Sequence, residues 1–340
     1  MTRARPPIFI IAEAGVNHNG DMELARKLID LAAEAGADAV KFQTFRAGEV
    51  VTEKAEKAAY QKATSGGGES QYAMLKRLEL DVAAHEMLMA HCRERNIRFL
   101  STPFDAQSLD MLMDMGLPLV KIPSGEITNL PYLRKVAAKG RPVILSTGMT
   151  TLDEVRDAVA ALTGAGLAAG DVTLLHCNTQ YPTPIGDANL RAMDTLAREF
   201  PDCAVGYSDH TPGITCPVAA AAMGATVIEK HFTLDKTMEG PDHAASLDPV
   251  ELTAMVAGVR EVELALGDGV KRPSASEREN IAVARRFLVA ASPIKAGEPF
   301  TETNVTARRT GCGGISPMRW DEVMGTPAPK DFGTGEAIEL

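Results

Sequence analysis

The chain has 340 residues, 45% apolar and 24% charged, so it is neither disordered nor collagen-like and suits about two domains. Its net charge of −10 argues against nucleic acid or an anionic membrane as partner, since both demand a basic face. The longest run free of Asp, Glu, Lys and Arg, His210 to Ile228, contains Pro212, Gly213, Pro217 and Gly224 and cannot span a bilayer. After Arg3 and Arg5 the apolar run is too short for a secretory leader. Five cysteines (Cys92, Cys177, Cys203, Cys216, Cys312), odd in number and without a C-x-x-C pair, read as thiols of a reduced, cytoplasmic chain, mostly small apolar fillers.

Short apolar runs alternate with amphipathic stretches along the chain. Ile8 to Ala14 predicts a first strand ending at Gly15. Leu24, Leu28, Leu31 and Ala32 then recur at helical spacing between Asp21 and Ala35, and Gly36 closes the helix. Ala39–Phe42 predicts the second strand. Others are expected at Ile97–Leu100, Leu119–Ile122, Val143–Leu145, Val172–Leu175, Ala204–Tyr207 and Thr226–Ile228. Helical patterns intervene near residues 81–95, 106–115, 129–138, 151–164, 187–199, 213–223 and 248–266. Eight strand–helix repeats predict an α/β protein, a (β/α)8 TIM barrel over residues 1–266. A doubly wound sheet is the alternative, but G-x-G-x-x-G is missing after the first strand. Ser65-Gly66-Gly67-Gly68, in the connection after strand two, lacks the G-K-[ST] ending of a Walker loop and reads as a flexible rim loop.

Gly, Pro, Ser and charge across residues 267–284 predict a linker. Residues 285–340 are rich in proline, with short strands expected at Phe287–Ala291 and Val305–Ala307, and form a small β-rich domain. This piece carries seven basic and seven acidic residues, so the whole net charge belongs to residues 1–284.

Barrel enzymes place their chemistry where the strands end. Here the eight apolar runs stop at Glu13, Lys41-Phe42-Gln43, Ser101-Thr102, Lys121 with Ser124-Gly125-Glu126, Ser146-Thr147-Gly148, His176-Cys177-Asn178-Thr179 with Tyr181, Ser208-Asp209-His210 and Glu229-Lys230-His231. Eight polar endings on one rim are hard to explain without a site. Positions two apart share a strand face, which pairs Lys41 with Gln43, Ser208 with His210 and Glu229 with His231. His210 and His231 could hold one divalent metal and leave positions open, or simply be two hydrogen-bonded histidines. Lys41 and Lys121 repel unless an anion bridges them, helped by Thr102, Ser124 and Ser208, or unless each pairs with Glu13, Glu126 or Glu229. A lysine of depressed pKa forming a Schiff base is a third reading.

The motifs IIAEAGVNHNG, VKFQTF, STPFD, KIPSGE, LSTGM, HCNTQYPTP, GYSDHT, EKHFTLD and GPDHAASL together resemble the sialic acid synthase family. KAGEPFTETNV and GGISPMRWDEVMG resemble its antifreeze-like (SAF) domain, so the resemblance runs from about Ile8 to the C-terminus. It implies condensation of phosphoenolpyruvate (PEP) with an open-chain N-acyl hexosamine, releasing phosphate. N-acetylmannosamine, giving N-acetylneuraminate, is the first expectation. A 2,4-diacetamido-trideoxyhexose, as for legionaminic or pseudaminic acid synthases, is the alternative. A non-catalytic carbohydrate-binding protein is a rival of another class. The resemblance also implies a metal, typically Mn2+ with Mg2+ or Co2+ possible, on His210 and His231, and proton transfer by Glu13 or Glu126. Lys41, Thr102, Lys121, Ser124, Ser208 and either Asn178 or Thr179 match the PEP cradle. Gln43, Tyr181 and Asp242 match sugar contacts. Arg309 matches an arginine that the antifreeze-like domain of one subunit brings to its partner's sugar in a domain-swapped homodimer.

Overall fold

The computed structural model describes residues 6–55, 57 and 70–340; the 65–68 segment lies outside them. The chain divides into two compact units, Met1–Asp268 and Gly269–Leu340. In the first, strands β1 (Phe9–Gly15), β2 (Ala39–Thr44), β3 (Arg98–Pro103), β4 (Val120–Ile122), β5 (Val143–Ser146), β6 (Val172–Cys177), β7 (Ala204–Asp209) and β8 (Val227–His231) form one eight-stranded sheet. Its order is β3-β2-β1-β8-β7-β6-β5-β4, and every paired neighbour is parallel. The two ends of that order, β3 and β4, lie against each other. The result is a (β/α)8 barrel.

Both faces of a parallel strand are covered, which is why the runs are continuously apolar. Outward side chains meet the helices in the main core, for example Ile10, Val40 and Leu145 against Leu28, Ile29 and Val155. Inward ones form a separate apolar layer of Ile11, Ala39, Leu100, Ile144, Leu175 and Val227. At Gly206 a Cβ would stand 2.5 Å from the Val227 carbonyl oxygen, so only glycine lets β7 and β8 approach this closely.

Side chains open the helices. Asp21 accepts from the Glu23 and Leu24 amides before Met22–Glu34, and capping boxes Thr151/Glu154 and Asp248/Glu251 open Leu152–Gly164 and Pro249–Leu266. Gly36, at φ 81°, follows the first helix in the left-handed conformation that stops it. Among the described residues, the connection after β2 holds two helices the periodicity did not reveal, Ala47–Val50 and Gln71–Leu78. Met74 and Leu78, one turn apart, are buried with Val16 and Phe45 in a cluster of their own.

The second unit begins inside the expected linker, where residues 278–284 form a helix, Arg278–Ala284. None of its residues is buried, so it has no apolar stripe to betray it in sequence. Antiparallel strands β9 (Phe287–Ala290) and β10 (Val305–Arg308) follow. Their core includes Leu288, Ile294, Phe300, Val305, Phe332 and Ile338. No helix among the described residues is long and apolar enough to cross a membrane.

Candidate active site

Two residues beyond the inner apolar layer, the same strands carry charge. Lys41 Nζ on β2 lies 2.5 Å from Glu13 Oε2 on β1, 2.6 Å from Thr102 Oγ1 on β3 and 3.6 Å from Glu229 Oε2 on β8. Lys121 Nζ on β4 lies 3.1 Å from Glu229 Oε1 and donates to Ser146 Oγ at 2.9 Å. Ser208 Oγ donates to Glu229 Oε1 at 3.0 Å, and Gln43 Nε2 reaches Glu13 Oε1 at 3.4 Å. All four charged groups are at most 5% exposed. Of the three readings of the lysines, pairing with carboxylates is the arrangement present, through Glu13 and Glu229 and not Glu126.

Burying charge is costly unless it is paired, and pairing sets each group's proton affinity. Burial raises the Glu13 carboxyl to about 7, against the opposing pull of Lys41. Burial would raise Glu229 too, but Lys121 and Lys41 outweigh it and hold this carboxyl near 2. For Lys41 burial lowers the proton affinity, yet Glu13 and Glu229 more than reverse it, so the group lies above its ordinary range. An ammonium so held is a poor Schiff-base nucleophile.

The two histidines sit side by side, with ring centroids 5.5 Å apart. Tyr181 lies 4.0 Å from the His210 ring and 5.6 Å from that of His231. His210 Nδ1 is bonded to the Asn178 carbonyl oxygen, which can only accept, so the proton is on Nδ1 and the Nε2 lone pair is free. His231 Nδ1 is buried and has no hydrogen-bond partner among the described residues. Burial lowers His210 to about 4, and burial with the neighbouring His210 takes His231 well below the usual imidazole range. Two neutral, adjacent imidazoles with unused nitrogen fit a divalent cation, one of them oriented by a backbone carbonyl. The donor set is sparse: among the described residues no group of three or more His, Cys, Asp or Glu is placed to hold a metal. Other positions would fall to substrate and water.

Behind these strands a second charged pair is buried. Alternation turns Asp209 and Lys230 away from Ser208, His210, Glu229 and His231. Lys230 Nζ pairs with Asp209 Oδ2 and donates to the Thr211 carbonyl at 2.6 Å. Asp209 also accepts from Tyr207 Oη at 2.9 Å, the Thr211 amide at 3.1 Å and the Thr211 hydroxyl at 3.0 Å. The ends of β7 and β8, and with them both histidines, are tied together from outside the barrel.

The remaining expected residues divide. A Cβ on Gly148 would meet Thr179 Cγ2 at 2.7 Å, Ser124 Oγ at 2.8 Å and Cys177 Sγ at 3.1 Å, so only a glycine lets the backbone pack directly against Thr179, Ser124 and Cys177. Ser124 Oγ accepts from the Gly148 amide at 3.0 Å and lies 3.2 Å from Cys177 Sγ. Asn178 instead spends its side-chain oxygen on the Gln180 amide at 2.8 Å and Thr183 Oγ1 at 3.3 Å. Glu126 is half-buried and accepts from Asn129 Nδ2 at 2.6 Å, apart from the charged layer. Gln43, Tyr181 and Asp242 line one cavity of about 220 Å³. Arg309 follows β10 in the second unit and is exposed. Sequence reasoning placed Glu229 beside His231 and as a possible lysine partner without naming it as a site residue, and counted Cys177 among thiols that are mostly filler. The step of two beyond Val227 and Leu175 was the signal for both.

The NeuB family model matches residues 28–271, and the SAF domain model residues 285–339. The chain is 52% identical over 330 residues to an N,N'-diacetyllegionaminic acid synthase of Campylobacter jejuni, covering 97% of this chain and 98% of that one. It is 46% identical over 333 residues to a protein of the same name from Legionella pneumophila, covering 97% and 93%. A crystal structure of an N-acetylneuraminic acid (sialic acid) synthetase from Leptospira borgpetersenii, 38% identical, superposes with a TM-score of 0.71 over 81% of this chain and 90% of that one. This chain therefore belongs to the NeuB family of sialic acid synthases, enzymes of the nonulosonic acid synthase type, and carries an SAF domain.

Proposed function

We propose that this enzyme condenses PEP and water with a 2,4-diacetamido-trideoxyhexose to give a diacetylated legionaminic-type acid and phosphate. The reaction class is carried by the buried layer in which Lys41 and Lys121 meet Glu13 and Glu229 beside two neutral histidines. The sugar is argued from the two legionaminic acid synthases at 52% and 46% identity, ahead of N-acetylmannosamine. In the reaction, C3 of PEP bonds to the aldehyde carbon, whose oxygen gains a proton. Water adds at C2, the C2–O bond to phosphate breaks, and the water oxygen becomes the ketone oxygen, its two protons going in net to the new alcohol and to the departing phosphate.

Lys41, Lys121, Thr102, Ser124 and Ser208 hold the phosphate and carboxylate of PEP, with the Thr179 region closing the cradle. Glu13, whose proton affinity is near neutrality, takes the proton of the attacking water; Glu126 is the second candidate. A divalent metal on His210 and His231, Mn2+ before Mg2+ or Co2+, would polarise the sugar aldehyde. Gln43, Tyr181 and Asp242 hold the sugar, and Arg309 of a second chain reaches its acyl group in a domain-swapped homodimer.

The test is phosphate release from PEP in the presence of Mn2+, with each sugar offered separately. Release with the diacetamido sugar and not with N-acetylmannosamine is expected; the reverse exchanges the two substrates, and none with any hexosamine overturns the reaction. His210→Ala and His231→Ala should each abolish both Mn2+ retention and turnover. Arg309→Ala should raise the KM of the sugar and not that of PEP.

A further inference from the structure

The two imidazoles are held in different ways. A backbone carbonyl orients His210, whereas no hydrogen bond among the described residues orients His231 through Nδ1. What lies against the His231 ring is the end of β1. The pairing of β1 with β2 slips by one residue there: Glu13 faces Lys41, but Gly15 and not Ala14 faces Phe42. Bulges of this kind beside active sites re-aim the groups around them. Alternation sends Ala14 outward into the main core and leaves Gly15 on the inner face, at φ 53°. A Cβ built on Gly15 would stand 3.1 Å from His231 Cε1, 3.2 Å from His231 Nδ1 and 3.3 Å from Gln43 Nε2. The ring thus fills the space that a side chain at position 15 would need. Its other sides are occupied too, by Tyr181 edge-on at 5.6 Å between ring centroids and by His210 at 5.5 Å. Gln43 can swing its amide aside, but an imidazole so enclosed has to move as a body.

We infer that Gly15 is a positioning residue for His231: the bare backbone of the β1 bulge seats the imidazole and fixes the orientation in which it and His210 meet a divalent cation. The assignment rests on the metal reading proposed above. Turn geometry alone would admit asparagine at position 15, as Asn19 shows at φ 52°. It is the ring that excludes a Cβ. Groups that bind a ligand have to be held to within about 0.5 Å. Relieving a Cβ contact of 3.1 Å moves the ring by a few tenths of an ångström, a displacement of the same order. The seat supplies by packing what the Asn178 carbonyl supplies to His210 by a hydrogen bond.

The experiment uses the full-length protein and the variants Gly15→Ala, His231→Ala, the double variant of the two, and Gly36→Ala. Gly36 has φ 81°, but a Cβ there would meet Val256 Cγ1 at 3.6 Å, an ordinary contact, so its variant reports backbone strain alone. Mn2+ titration followed by electron paramagnetic resonance should show an affinity about 10–100-fold lower for Gly15→Ala, the usual loss when a group that orients a metal ligand is removed. Gly36→Ala should keep the parent's affinity. In thermal unfolding without metal, the drop in midpoint caused by Gly15→Ala should be about halved in the His231→Ala background, where the ring is gone and the left-handed strain remains. Parent affinity in Gly15→Ala, or an equal loss in Gly36→Ala, overturns the positioning role, and so does a midpoint drop that is the same in both backgrounds. If Gly15→Ala does not fold, the double variant should; its failure as well overturns the seat. A parent that retains no Mn2+ sinks the metal reading and the affinity claim with it, while the midpoints still decide whether Gly15 seats the ring.

Discussion

Two layers inside the barrel are built on the same strands only two residues apart. Ile11 leads to Glu13, Ala39 to Lys41, Leu100 to Thr102, Ile144 to Ser146, Leu175 to Cys177 and Val227 to Glu229. Both layers are buried, yet one is wholly apolar and the other holds two ammonium groups and two carboxylates. The lower layer follows the hydrophobic effect; the upper one opposes it and survives only because every charge has a partner. A barrel can thus keep stability and chemistry on separate floors of one sheet.

Removing a partner should break the upper floor most visibly. Lys41→Met leaves Glu13 and Glu229 facing each other and should cost about 3–5 kcal/mol in urea unfolding, together with turnover. A cost below about 1 kcal/mol would mean that the layer is not held by its charges. The lower floor should respond in stability alone. Leu175→Ala, at a fully buried position, should lose about 2–5 kcal/mol while the folded enzyme keeps its KM for PEP.

A third substitution sharpens the contrast with the opposite sign. Burial holds the Asp242 carboxyl at about 6, against 3.8 for the free side chain. The folded state therefore binds the proton more tightly, and this group's favourable contribution is present below about pH 4 and lost as pH rises through about 6. Asp242→Asn removes that loss. The variant should gain up to about 3 kcal/mol relative to the parent at pH 7 and little at pH 4, read from unfolding midpoints at the two pH values.

Much of this organisation was legible in the residues. The β-branched runs, the glycines after helices and the polar endings of all eight strands locate the barrel and its rim, because each signal is local. What escaped depends on distance in three dimensions. Glu229 and Cys177 gain their importance from Lys121 and Ser124, more than fifty residues away in sequence. Asn178 and Thr179 are neighbours in sequence, but the turn that Asn178 bonds across and the bare backbone of Gly148 give them different surroundings. The helix Gln71–Leu78 has only two buried residues, too few for periodicity to register. Arg278–Ala284 has none.

The pair Asp209–Lys230 behind the histidines carries a consequence for solution behaviour. Both side chains are at most 1% exposed, so no ion atmosphere can reach between them. Electrolyte weakens attractions that water can enter, such as the surface pair Lys295–Asp331, and leaves a sealed one nearly untouched. The spacing of the two imidazoles should therefore survive brine that strips the protein's surface of its ion pairs. High ionic strength would be felt in the capture of an anionic substrate rather than in the alignment of the groups awaiting it.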